Sequence, residues 1–135
     1  MMQVGVLVSA ATDLGASITG GLYNNIVANH TQSGVRIDRP AGFSNDNNLV
    51  FGNLQNQYTP GPNTRTADPL FIDPANGNFR VKRQSPAIDA GSAAALPGTV
   101  TRDLAGRRRS NGVVDIGAYE WFNPSLVPSF MLLLD

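Results

Sequence analysis

The chain has no cysteine, so neither a disulfide framework nor a thiolate metal site holds it together. It has one histidine, His30, and one lysine, Lys82, in 135 residues. Charged residues make up only 15%, and ten basic residues balance ten acidic ones. That balance leaves no global field to draw in nucleic acid or an anionic membrane surface, so no nucleic-acid partner is expected. No apolar run approaches the ~20 residues that span a bilayer. Phosphate-loop, dinucleotide and zinc motifs are missing, and Ser85, followed by Pro86, lacks a nucleophile elbow. No Lys or Arg precedes Val4, and Gly5 and Ser9 break the opening apolar stretch. The start therefore reads as a strand, not a leader, and the chain as a fragment or an internal start within a longer gene.

What is present is a 41% apolar chain, enough for one folded domain, with turn residues in place of helical periodicity. Fourteen Gly and nine Pro interrupt every window in which a helical stripe would have to form. Asn24-Asn25-Ile26-Val27-Ala28-Asn29 is echoed by Asn47-Asn48-Leu49-Val50-Phe51-Gly52-Asn53, an offset of 23 residues (47 − 24). A coil of two or three short strands joined by tight turns takes about 20 to 25 residues per circuit. Asn suits such a stack because its amide bonds along the ladder and its backbone tolerates left-handed turns. Candidate strands are Val4–Val8 and residues 16–19, 23–28, 34–38 and 48–51. Residues 54–67, with Pro60-Gly61-Pro62, read as a loop. Residues 68–74 read as a strand between two Asp-Pro turns and residues 78–81 as a second, making a hairpin across Asn76-Gly77.

The sequences DPLFIDPANGNFRV, SPAIDAG, DLAGRRR and VDIGAYE, in this order within residues 68–120, resemble the C-terminal region of secreted bacterial right-handed parallel β-helix proteins, pectate-lyase-like and including those called choice-of-anchor Q proteins. The resemblance implies an all-β fold: about two right-handed parallel β-helix coils over residues 1–53, a loop at 54–67, a strand-rich C-terminal cap at 68–122 and a tail at 123–135. It also implies an extracellular or cell-surface setting. Fold alone does not give activity. The expected role is a structural cap segment of a protein that binds or adheres to carbohydrate. The alternatives are a polysaccharide lyase or glycosidase acting on acidic glycans, and a self-associating filament or oligomer subunit.

No catalytic residue is assigned. Alternation along residues 34–38 buries Val35 and Ile37 and exposes Arg36 and Asp38; with Arg39 these form the candidate glycan-binding strand. Asp89, Asp103, Arg107, Asp115 and Glu120 are expected to tie the cap together by hydrogen bonds and ion pairs, with Asp89 and Asp115 at least half-buried and Arg107 paired to one of the carboxylates. No cofactor is expected, although Asp68, Asp73, Asn76 and Asn78 offer oxygens to calcium. His30 reads as a surface residue, and Tyr119, Trp121 and Phe122 as aromatics that close an apolar interior. An uncapped Val4–Val8 strand exposes apolar backbone edge, which favours self-association through the N-terminal coil.

Overall fold

Left-handed backbone at the corners sets the architecture. The computed structural model describes residues 4–8, 19–38, 41–109 and 113–122. Within them Asn24, Asn29 and Asn47 have φ of 58°, 60° and 49°, a conformation that Asn tolerates better than most residues. Each marks an abrupt change of chain direction between short strands. Strands β2 (Gly20–Tyr23) and β3 (Ile26–Ala28) flank the first Asn-Asn pair. Strands β5 (Phe43–Asp46) and β6 (Leu49–Phe51) flank the second. Strands β1 (Val4–Val8), β4 (Ser33–Ile37) and β7 (Gln55–Gln57) complete the N-terminal half. The chain is all-β: among the described residues the remaining elements are strands β8 (Phe71–Asp73) and β9 (Asn78–Val81) and two single 3-10 turns at Pro74–Asn76 and Ala93–Ala95.

The pairing is parallel throughout the N-terminal half. β4 lies between β1 and β7, β2 pairs β5, and β3 pairs β6. Ile26 lies opposite Leu49 and Gly20 opposite Phe43, so the repeat offset seen in the sequence is the register of the ladder. Val27, Val35, Ile37 and Val50 are buried in one cluster, joined by Val6, Leu22, Phe43 and Tyr58. All three stacks thus share one core. Residues 54–67 are not merely the loop expected. β7 extends the first stack, and Arg65 bridges Leu49 in parallel, giving a short, polar third rung. Residues 16–18 of the expected strand at 16–19, and the tail, lie outside the described residues.

Side-chain amides reinforce the corners. Asn48 is fully buried. It donates to the Leu22 carbonyl at 2.7 Å and accepts from the Asn25 amide at 3.0 Å, 23 residues away. Asn53 repeats the arrangement one corner on, donating to the Val27 carbonyl at 2.9 Å and accepting from the His30 amide at 3.0 Å. Gly52 stands above Asn29 in the ladder with φ of 63°, and a Cβ there would lie 2.4 Å from Asn29 Oδ1. Gly52→Ala is therefore expected to cost about 1–2 kcal/mol from strain and lost space. A urea midpoint equal to the parent's would refute the corner assignment.

The C-terminal unit packs elsewhere than expected. Alternation along β3 and β6 sends Val27 and Val50 into the shared core, while Ile26 and Leu49 face the opposite way. There they meet Val81, Ala87, Ala90 and Ile116, with Phe71, Ile88 and Trp121 around them. Asn24 donates to the Ser92 carbonyl at 2.9 Å and accepts from its amide at 2.7 Å. Asn47, directly above in the stack, donates to the Ala90 carbonyl at 3.1 Å. Residues 68–109 and 113–122 therefore contact the stacks from the side, spanning two rungs, where a cap over their end was expected. The third rung ends the stack differently: its Gln-Asn-Gln strand and Pro60 and Pro62 offer a poor template for another strand.

Candidate functional site

Residues 68–122 concentrate the carboxylate chemistry. The β8–β9 hairpin is antiparallel, and Gly77, with φ of 77°, closes the turn after Pro74–Asn76. A second reversal at 103–106 is built on Asp103. Its Oδ1 accepts from the amides of Ala105 at 2.9 Å and Arg107 at 2.7 Å. Gly106, with φ of 81°, completes that turn, and Arg102 pairs with Arg108 across it. Asp103 Oδ2 then reaches to the Glu120 amide at 2.9 Å, so one side chain shapes a turn and fastens it to the next segment.

Asp115 does the same from the other side. It is buried, 3% exposed. Its Oδ1 accepts from the Asp89 amide at 2.8 Å, and its Oδ2 accepts a short hydrogen bond from the Trp121 amide. Arg109 donates to Glu120 Oε1 at 2.6 Å and to the Gly117 carbonyl at 2.7 Å. Gly117 in turn donates to the Asn24 carbonyl at 2.8 Å, which links the carboxylate network to the stacks. All four oxygens of Asp103 and Asp115 thus accept backbone amides.

Burial pushes the Asp115 carboxyl above its ordinary range, and the neighbouring Asp89 charge adds to that, against the hydrogen bonds from Asp89 and Trp121 and the attraction of Arg109. Burial also pushes the Glu120 carboxyl up, with the charges of Asp115 and Asp103 acting in the same direction and Arg109 opposing. A carboxyl whose native pKa is raised binds its proton more tightly folded than unfolded. Its contribution to stability therefore grows as pH falls from neutrality through the native pKa towards the unfolded value. Glu120→Gln is expected to remove part of that acid-side gain. The check is the pH slope of the urea midpoint between neutral and mildly acidic conditions, which should differ from the parent's.

Of the residues singled out from sequence, the structure brings Asp103, Asp115 and Glu120 together. Asp89 departs from expectation: it is exposed and contributes its backbone amide, from a left-handed position with φ of 52°. Arg107 also departs. It is exposed, meets the Asp103 carboxylate through its backbone amide, and its guanidinium donates to the Glu120 carbonyl at 3.3 Å and lies over Phe122. The guanidinium that meets a carboxylate is that of Arg109. Three successive arginines look alike in sequence; only the hairpin reveals that the one farthest from the turn reaches inward.

On β4, Val35 and Ile37 are buried while Arg36 and, just past the strand, Asp38 point outward. The last two form an ion pair at 2.7 Å, each about one-third exposed, and Arg39 lies outside the described residues. The oxygens considered for calcium serve turns: Asp68 accepts from the Leu70 amide, Asp73 from the Asn76 side chain and Asn78 from the Arg80 amide. Among the described residues no three His, Cys, Asp or Glu side chains are placed to hold a metal ion, and no helix is long and apolar enough to cross a membrane. His30 is half-buried beside the Asn53 corner. Sequence reasoning missed the roles of Asn24 and Asn47 as clamps to residues 90–92. The only available signal was their place at matching turns.

No family model matches the chain, and no curated protein or solved structure matches it. Its own geometry defines an all-β protein of short, stacked parallel strands, buttressed along one side by a hydrogen-bonded carboxylate network.

Proposed function

We propose that this chain is the C-terminal segment of an extracellular or cell-surface right-handed parallel β-helix protein, in which residues 68–122 brace the last coils of a carbohydrate-binding or adhesive column. The observation that carries this reading is the clamp on two stacked corners: Asn24 to Ser92 and Asn47 to Ala90, 68 and 43 residues apart. A unit fastened to successive rungs resists their sliding and splaying. Asp103 and Asp115 support a structural reading over a lyase or glycosidase one, because their oxygens are committed to backbone amides and a catalytic carboxylate must exchange protons with substrate.

Gly117→Val tests the brace. A Cβ at Gly117 would lie 2.9 Å from Ile26 Cδ1, at a φ of 111°. Amide exchange of Val27 and Val50, in the stacks, is expected to accelerate together with that of Ile116. Stacks that stay protected while residues 113–122 open would defeat the reading. A parallel assay for unsaturated products from polygalacturonate, with and without calcium, is expected to show no turnover.

Self-association is the second reading, and the outer edges of β1, β2 and β3 favour it. Among the described residues no strand pairs beyond them, and open parallel edges invite another chain. Since the polar third rung blunts the opposite end, pairing between first rungs, which closes a dimer, is preferred over head-to-tail growth. Light scattering at micromolar concentration is expected to show a dimer; a monomer at all concentrations excludes this reading.

A further inference from the structure

The balanced charge of the sequence is not balanced on the surface of residues 68–122. Asp103 and Asp115 are buried and Glu120 is held by Arg109, which leaves Asp68, Asp73 and Asp89 as its outward acids, against Arg80, Lys82, Arg83, Arg102, Arg107 and Arg108, all exposed. Two of these cations share one cleft of about 190 Å³, between the outward side of β9 and residues 119–122. The Arg80 guanidinium lies 5.0 Å over the Tyr119 ring, and that of Arg107 lies 5.0 Å over Phe122.

Stacking on a ring fixes the plane of a guanidinium while leaving its in-plane N–H donors directed outward. Among the described residues neither side chain meets a carboxylate. Arg80 has no side-chain hydrogen bond there, and Arg107 has only the long one to the Glu120 carbonyl. The Glu120 carboxylate also borders the cleft, but its charge is answered by Arg109 at 2.6 Å. Two guanidiniums without a carboxylate partner thus border one cleft, and an oxyanion bound there can take charge-assisted, fork-like bonds from them. Ile72, Val81 and Trp121 make the rest of the lining largely apolar. Pockets for drug-sized ligands run to roughly 300–1,000 Å³, so this one suits a single ring.

We propose that this cleft is a binding site for a small ring-bearing carboxylate, with Arg80 and Arg107 gripping the carboxylate and the apolar wall receiving the ring. The site is independent of the bracing role of residues 68–122. Trp121 is the chain's only tryptophan and lines the cleft, so its emission reports occupancy. Benzoate and galacturonate are titrated against their neutral counterparts, benzyl alcohol and galactose, and against inorganic sulfate. At least one of the two acids is expected to saturate the signal, and which one does so identifies the ring as aromatic or sugar. Arg80→Gln and Arg107→Gln are each expected to weaken binding about tenfold, as loss of one charge-assisted contact does. Arg80→Lys, which keeps the charge without the planar fork, is expected to weaken it as well. Lys82→Gln, exposed and outside the cleft, should leave it unchanged. The proposal is overturned if neither acid titrates Trp121, if the neutral compounds or sulfate bind as well as the acids, or if the arginine variants bind like the parent while retaining its melting temperature.

Discussion

Asp115→Ala is expected to destabilise the chain by about 3–5 kcal/mol, the range for breaking a buried, hydrogen-bonded charge network. The substitution strips acceptors from the Asp89 and Trp121 amides at one stroke, and each buried donor left unmade costs about 1–3 kcal/mol. It also takes away a negative charge near the Arg109 guanidinium, whose Nε already lacks a hydrogen-bond partner. Desolvation of the carboxylate partly offsets the loss, since burial is the main influence raising its pKa. The donors nevertheless decide the sign, because alanine leaves them nothing to bond. For a chain of this size the change should lower the melting temperature by roughly 10–18 °C. Asp115→Asn should cost less, because its remaining oxygen still serves one of the two amides. Equal melting temperatures for the parent and the alanine variant would contradict the network.

Leu49→Ala is expected to cost about 2–5 kcal/mol, the range for a fully buried leucine that leaves a partly relaxed cavity. Leu49 is completely buried, and its side chain stands where three parts of the molecule meet: Ile26 on the neighbouring strand, Ala87 and Ala90 on one segment and Ile116 on another. Its backbone is held on both sides of the ladder, by Asn25 and through the bridge to Arg65, so the surroundings cannot collapse freely into the vacancy. Leu54→Ala is the matched control. Leu54 is 71% exposed, and its truncation should stay within about 0.5 kcal/mol. Urea unfolding of the two variants distinguishes them. Similar midpoints would mean that the interface between the stacks and residues 68–122 is not a packed core.

The parallel stacks were legible because their signals are local and repeated. Asn24 and Asn47 need a left-handed corner wherever the chain goes, and three apolar residues after each pair make a short strand. With the same spacing in both copies, pairing Ile26 with Leu49 aligns the corners and the apolar residues together. The third rung was not legible. Gln55-Asn56-Gln57 has no apolar alternation, and its strand conformation comes from β4, which offers an unpaired edge there. The position of residues 68–122 was equally hidden. Ile26 and Leu49 look like any strand apolars, and that they face away from the shared core follows only from knowing which way Val27 and Val50 point.

By itself, the sequence determined the strand-and-corner character of the chain, the register between its repeats, and the turn chemistry around Asn76-Gly77. Each depends on backbone preferences within a few residues. Tertiary structure decided which of three adjacent arginines meets Glu120, why Asp89 gives an amide while Asp115 gives a carboxylate, and how a chain of zero net charge acquires a basic cleft. Those outcomes depend on burial, and burial depends on segments far apart in sequence. Folding draws Asp103, Asp115 and Glu120 inward because backbone amides there need acceptors. The long guanidinium stems of Arg80 and Arg107 lie across aromatic rings and keep their charges in water.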